Sequence, residues 1–171
     1  MSLRIALLGL LSSSGPASGY DLTKKFEVSI NHVWQAGHSQ IYPELAKLAA
    51  DGLVTVEAEG ARGRKTYAVT PEGRAEVHRW MLEHVPAEPA RSENALQAFL
   101  LPLLDAPEAV AVLERMSAVS RARLGHLYEL KVANPPASGR LGVHALELGI
   151  MQTESFLTWA ATTIDALRHD A

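Results

Sequence analysis

The sequence predicts a mainly α fold with one small β-hairpin: an N-terminal winged helix-turn-helix followed by a C-terminal all-helical domain. Three observations carry this. Three helical patterns, two alternating strand patterns and a fourth helix follow one another within about the first 85 residues. A proline-bearing stretch, Val85 to Arg91, separates them from the rest. After it every pattern is helical, and the last one repeats in heptads. Residues 1–85 are therefore expected to form the winged domain and residues 86–171 a helical dimerisation or effector domain.

Leu3 to Leu11 is apolar on nearly all sides and reads as a short buried helix. Ser12-Ser13-Ser14-Gly15-Pro16 is expected to break it. Ser18 and Asp21 have capping-box spacing, which starts a second helix over Gly19 to Ser29, with Leu22 and Phe26 on one face and Lys24 and Lys25 towards the other. A loop with Asn31, His32 and Trp34 leads to a third helix from Ser39 to Asp51, ended by Gly52. Its apolar positions Ile41, Leu45, Leu48 and Ala49 form one stripe. Pro43 is expected in its first turn, where a missing amide costs nothing.

Leu53 to Glu57 and Thr66 to Thr70 alternate as strands, joined by the basic turn Gly60-Ala61-Arg62-Gly63-Arg64-Lys65. Thr70 caps a fourth helix with Pro71 at its first position. That helix is expected to point Val77, Trp80, Met81 and Val85 inward. Ser92 to Leu104 reads as a fifth helix. Asp105 and Glu108 cap a sixth, running to Val132 with the apolar set Leu113, Met116, Val119, Leu124 and Leu127. Asn134 to Gly139 is a break. In the last helix Val143, Leu146, Ile150, Thr153, Leu157, Ala160, Ile164 and Leu167 recur at alternating spacings of three and four, the mark of a helix packed lengthwise on another.

The chain is 47% hydrophobic and 20% charged, a globular composition. It has no cysteine, which removes disulfides, thiolate metal sites and a thiol nucleophile and suits a reducing cytoplasm, the expected location. No stretch is long enough to span a membrane. The net charge is −3, with nine basic and nine acidic residues up to position 85 and seven against ten beyond it. Any nucleic-acid contact is thus expected in the first half.

The third helix buries a narrow stripe, leaving Ser39, Gln40, Tyr42 and Lys47 on faces free to enter a major groove about 12 Å wide. Arg62, Arg64 and Lys65 on the hairpin suit backbone phosphates or a minor groove, and Lys24 and Lys25 add cations nearby. The heptad positions Val143, Leu146, Ile150, Leu157, Ile164 and Leu167 are the expected dimer interface; the same seam would serve a helix packed within one subunit. Trp34, Trp80, Phe99, Phe156 and Trp159 either line a pocket for a small aromatic effector or fill the core. The seven histidines show no zinc spacing, and no catalytic constellation is present, so no metal, cofactor or enzymatic activity is expected.

Gly19-Tyr20-Asp21-Leu22, Ser39 to Leu45, Leu48 to Val54, Arg64-Lys65-Thr66-Tyr67 and Thr70 to Arg74 resemble the PadR family of transcriptional regulators. The C-terminal half is similar to the long helical extension of its virulence-activator-like subgroup. The resemblance implies a homodimer held by C-terminal helices. It implies a double-stranded operator read by Ser39, Gln40, Tyr42 and Lys47, with Arg62, Arg64 and Lys65 as wing contacts. It also implies repression more often than activation, relieved by a small aromatic molecule. A winged protein-interaction module without an operator is the alternative that the residues leave open.

Overall fold

The structure is a computed structural model that describes residues 2–29, 37–60, 64–85, 92–133 and 141–169. Its contacts divide the chain into two compact units, Met1–Val85 and Pro86–Ala171. The loop with Asn31, His32 and Trp34, the hairpin tip with Arg62, and the stretches 86–91 and 134–140 lie outside the described residues.

The first unit is built around α1 (Ser2–Ser14), which touches three other helices and the sheet. Its all-round apolar pattern explains this position: Leu7 and Leu8 are fully buried, and Leu10 and Leu11 nearly so. The helix runs three residues beyond expectation. Ser12, Ser13 and Ser14 do not break it, because their hydroxyls donate back to the carbonyls of Leu8, Leu10 and Leu10. Gly15, at φ +74°, ends it.

A two-residue strand that the sequence did not announce, β1 (Ala17–Ser18), follows. Then come α2 (Gly19–Ser29), α3 (His38–Ala50), β2 (Val54–Gly60), β3 (Arg64–Val69) and α4 (Pro71–Glu83). The sheet is antiparallel with order β1-β3-β2. Ser18 pairs with Thr66 and Val54 with Val69, and a bulge falls between Val56 and Ala58. Arg64 and Lys65, expected in the turn, belong to β3.

α3 ends in a full Schellman arrangement. Gly52 sits at φ +72°, its amide donates to Ala49 and that of Leu53 to Leu48. Pro43 lies one turn deeper than expected, inside the helix. The carbonyl of Ser39, four residues back, therefore has no helical amide to accept from. Thr70 caps α4 as read, accepting from the Gly73 amide while donating to the Gly52 carbonyl. Of the four residues expected to point inward from α4, Val77 and Trp80 are partly buried; Met81 and Val85 are exposed, Val85 beyond the helix end.

In the second unit α5 (Glu93–Leu100) is shorter than expected and passes into a 3₁₀ turn over Leu101–Leu103. Pro102 cannot donate to a continuing α-helix, which accounts for the change. Asp105 and Glu108 exchange backbone and side-chain bonds in a capping box that starts α6 (Ala106–Ala133). α7 (Val143–His169) packs along α6 in the opposite sense. Ala109, Leu113 and Met116 meet Ala160 and Ile164 at one end, and Leu127 meets Leu146 and Ile150 at the other. Val119, expected inside, faces solvent.

This pairing occupies the expected dimer seam within one chain. Leu146, Ile150 and Ile164 are buried within one chain, and Leu167 packs against the same core; Val143 and Leu157 are half-buried. A heptad demands a lengthwise partner, and here α6 provides it.

Gly73 makes a very tight backbone approach. A Cβ there would lie 2.2 Å from the Leu53 carbonyl oxygen. We predict that Gly73→Ala destabilises the chain by about 1–3 kcal/mol, the cost of an overpacked site, read as a lower midpoint in urea unfolding. An unchanged midpoint would show that the joint between β2 and α4 yields freely.

Candidate nucleic-acid interface

α3 divides into two faces. Ile41, Leu45 and Leu48 are fully buried against the core that includes Leu7, Leu8, Leu22 and Phe26. Ser39, Gln40, Tyr42, Pro43, Ala46 and Lys47 are all exposed. Gln40 Oε1 accepts from the Gly37 amide at 3.3 Å, so this side chain helps to cap its own helix. Lys47 stands 3.8 Å from Glu44, a loose surface pair.

Tyr42 is 45% exposed, and its ring lies over α2 at Gly19. A Cβ on Gly19 would come within 2.6 Å of a ring carbon. Glycine at this position therefore makes room for the aromatic ring. On α2, Lys24 places its ammonium 4.8 Å from the centre of the Tyr20 ring, and Lys25 is half-buried.

Arg64, expected as a wing contact, is exposed and has partners at the base of the wing. One of its nitrogens donates to Asp21 Oδ2 at 2.7 Å and to Ser18 Oγ at 3.0 Å. Ser18 Oγ in turn donates to Asp21 Oδ2 at 2.7 Å, and the Asp21 amide donates to Ser18 Oγ. The capping pair thus has a third member 43 residues away. Ser18 and then Arg64 hold the Asp21 carboxyl below the usual carboxylate range. A lowered folded value means that this contribution is present at neutral pH and is lost only as acid passes below that range. Lys65 is exposed on β3, and Arg62 is outside the described residues.

The aromatic set is only partly assembled. Phe156 and Trp159 form a tilted pair with centroids 5.5 Å apart, and Phe156 packs on the core of the second unit. Phe99 is exposed. Trp80 stacks on His84, and its indole nitrogen is buried without a hydrogen-bond partner among the described residues. No helix among the described residues is long and apolar enough to cross a membrane, and they hold no group of three or more potential metal ligands.

Residues 7–79 match the transcriptional regulator PadR-like family, and residues 90–168 match the virulence activator alpha C-term family. The negative transcriptional regulator PadR of Bacillus subtilis is 36% identical over 129 residues, 73% of this chain and 70% of that one. The chain belongs to the PadR family of transcriptional regulators. Crystal structures of Bacillus subtilis PadR, one in complex with operator DNA and one with p-coumaric acid, are 29% identical to it. Each has a TM-score of 0.84 and covers 98% of this chain and 99% of its own. The Vibrio cholerae virulence activator AphA is 28% identical with a TM-score of 0.78, over 99% of both chains. The fold is accordingly the winged helix of PadR regulators, a family of regulators and not of enzymes.

The contact between Tyr42 and Gly19 gives a direct test within this member of the PadR family. We predict that Gly19→Ala lowers stability because the ring must move, and that the loss shrinks when Tyr42→Ala is already present. Urea unfolding of the two single variants and the double variant measures this coupling. Additive losses would mean that the ring does not occupy the space above Gly19.

Proposed function

We propose that this PadR-family chain is a homodimeric repressor that binds double-stranded operator DNA and is released by a small aromatic ligand in the cytoplasm. Residues 1–85 read the operator, and residues 86–171 pair the subunits and receive the effector. The carrying observation is the division of α3: a stripe sunk in the core, and Ser39, Gln40, Tyr42 and Lys47 outside on one short helix. Such a helix presents hydroxyls, an amide and a cation to base edges and phosphates. Lys24, Lys25, Lys65 and Arg62 supply further phosphate contacts. The operator-bound and p-coumaric-acid-bound relatives, and the negative regulator that is 36% identical, support the same reading.

With the heptad seam occupied inside the chain, pairing falls to other apolar surface. α5 has no buried residue, yet Leu96, Phe99, Leu100 and Leu103 lie three and four apart along it and the turn that follows, and Phe99 and Leu103 are each 80% exposed. On α7, Leu148 and Met151 are exposed on the side away from the buried seam. A second copy would remove this surface from water. Release by a ligand requires only that it bind one dimer arrangement better than the other. Phe156 and Trp159, the tilted pair of the second unit, are the described aromatic groups offered to it.

Two measurements test this. In fluorescence anisotropy with a duplex from the chain's own upstream region, affinity should fall steeply with salt. Lys47→Ala should reduce the log–log slope by about 0.9, one phosphate's worth, while Gln40→Ala should change which duplexes are preferred. Absence of binding at low salt would favour a protein-interaction module instead. In sedimentation, Phe99→Glu should convert the dimer to monomer with its helical content retained. A dimer that survives this change would place the pairing surface elsewhere.

A further inference from the structure

Arg64, Asp21 and Ser18 meet where three elements join. Ser18 ends β1 and pairs with Thr66 on β3; it is also the cap of α2, and it is 2% exposed. Asp21 is in the first turn of α2. Arg64 opens β3, the returning strand of the wing. One guanidinium nitrogen meets two acceptors, and those acceptors are bonded to each other. The triangle therefore ties the base of the wing to the start of α2, the helix on which the Tyr42 ring rests.

We propose that Arg64 is a positioning residue and not a phosphate contact: with Asp21 and Ser18 it clamps the wing at a set angle to α2 and α3, so that helix and wing meet one duplex in register. This rests on the operator-binding reading above. An arginine that spends its charge on a phosphate leaves its carboxylate behind; here the carboxylate, the hydroxyl and the cation close on one another, and the hydroxyl is buried. A surface ion pair alone would contribute little. A pair anchored to a buried hydroxyl that is itself in a sheet and a helix cap has far less freedom to rearrange.

The clamp and the phosphate contact predict opposite signs at Asp21. By plain electrostatics, removing a carboxylate near DNA raises affinity for any duplex. For a clamp, removing it loosens the wing and lowers affinity for the preferred duplex only. The probes are a duplex selected by the wild-type chain from a random library and a scrambled duplex of equal length. Binding is measured by anisotropy over a salt series, at a temperature where thermal unfolding shows every variant folded.

Asp21→Asn should weaken the selected duplex about tenfold, within the range a coupled pair supports, and leave the scrambled one unchanged or tighter. Arg64→Ala should cost the same factor on the selected duplex without changing the salt slope. The double variant should be no worse than either single one. A merely structural loss would lower binding to both duplexes together, leave their ratio fixed, and so overturn the proposal. Tighter binding of both duplexes by Asp21→Asn, with a slope about 0.9 shallower in Arg64→Ala, would instead make Arg64 a phosphate contact. If the wild-type chain selects no duplex at all, the operator reading itself fails and the clamp falls with it.

Discussion

Ile41, Leu45 and Leu48 sink completely into the core of the first unit, and the rest of its architecture depends on that burial. Each such side chain contributes about 1.5–3 kcal/mol on leaving water. Against this stands Pro43, which removes one helical hydrogen bond and crowds the carbonyl four residues back, at a cost of about 3 kcal/mol. Burial wins, so α3 stays continuous through its proline. The same burial sets the rotation of the helix about its axis. Once one stripe is locked inward, Ser39, Gln40 and Lys47 have no choice of side. Gly52 then turns the chain sharply into β2, which fixes where the wing begins.

Local chemistry was legible and distant chemistry was not. The start of α2 at Gly19, the cap at Gly52, the Thr70-Pro71 start of α4 and the Asp105–Glu108 box all rest on neighbours within a few residues, and the structure has each of them. The three serines after Leu11 misled because a hydroxyl can either end a helix or bond back into it, and the choice depends on the packing of α1. A strand as short as Ala17–Ser18 has no period to recognise; it exists because β3 offers an edge. Val119 shows the limit of periodicity over a long helix, whose buried face is set by where its partner lies. The heptad on α7 reported a lengthwise partner but carried no information about whether that partner was α6 or a second copy.

The candidate interface was legible on α3 and less so on the wing. Exposed polar positions on α3 follow from the position of its apolar stripe, which the sequence displays. The partner of Arg64 lies 43 residues away, and no local pattern points to it. The Ser18–Asp21 spacing signalled a helix cap and nothing more. Gly19 carries a further signal that only coordinates decode: its missing side chain is the space taken by the Tyr42 ring.

Charge distribution decides which cations a duplex could recruit. The first unit has no net positive charge, so attraction must come from local arrangement and not from the total. An approaching phosphate has to outbid whatever already holds each cation. Lys47 is 70% exposed and faces Glu44 across 3.8 Å, an arrangement of the kind worth about 0–1 kcal/mol, so exchange to a phosphate costs little. Lys24 sets its ammonium over the exposed Tyr20 ring, 4.8 Å from the ring centre. Arg64 is held by two short charge-assisted or hydroxyl bonds whose acceptors are themselves ordered by β1 and α2, and leaving would break a helix cap's third contact as well as an ion pair. Among the described cations of this near-neutral unit, Lys47 is thus held loosely by a neighbour on its own helix, whereas Arg64 and Arg4 each tie together segments more than 40 residues apart.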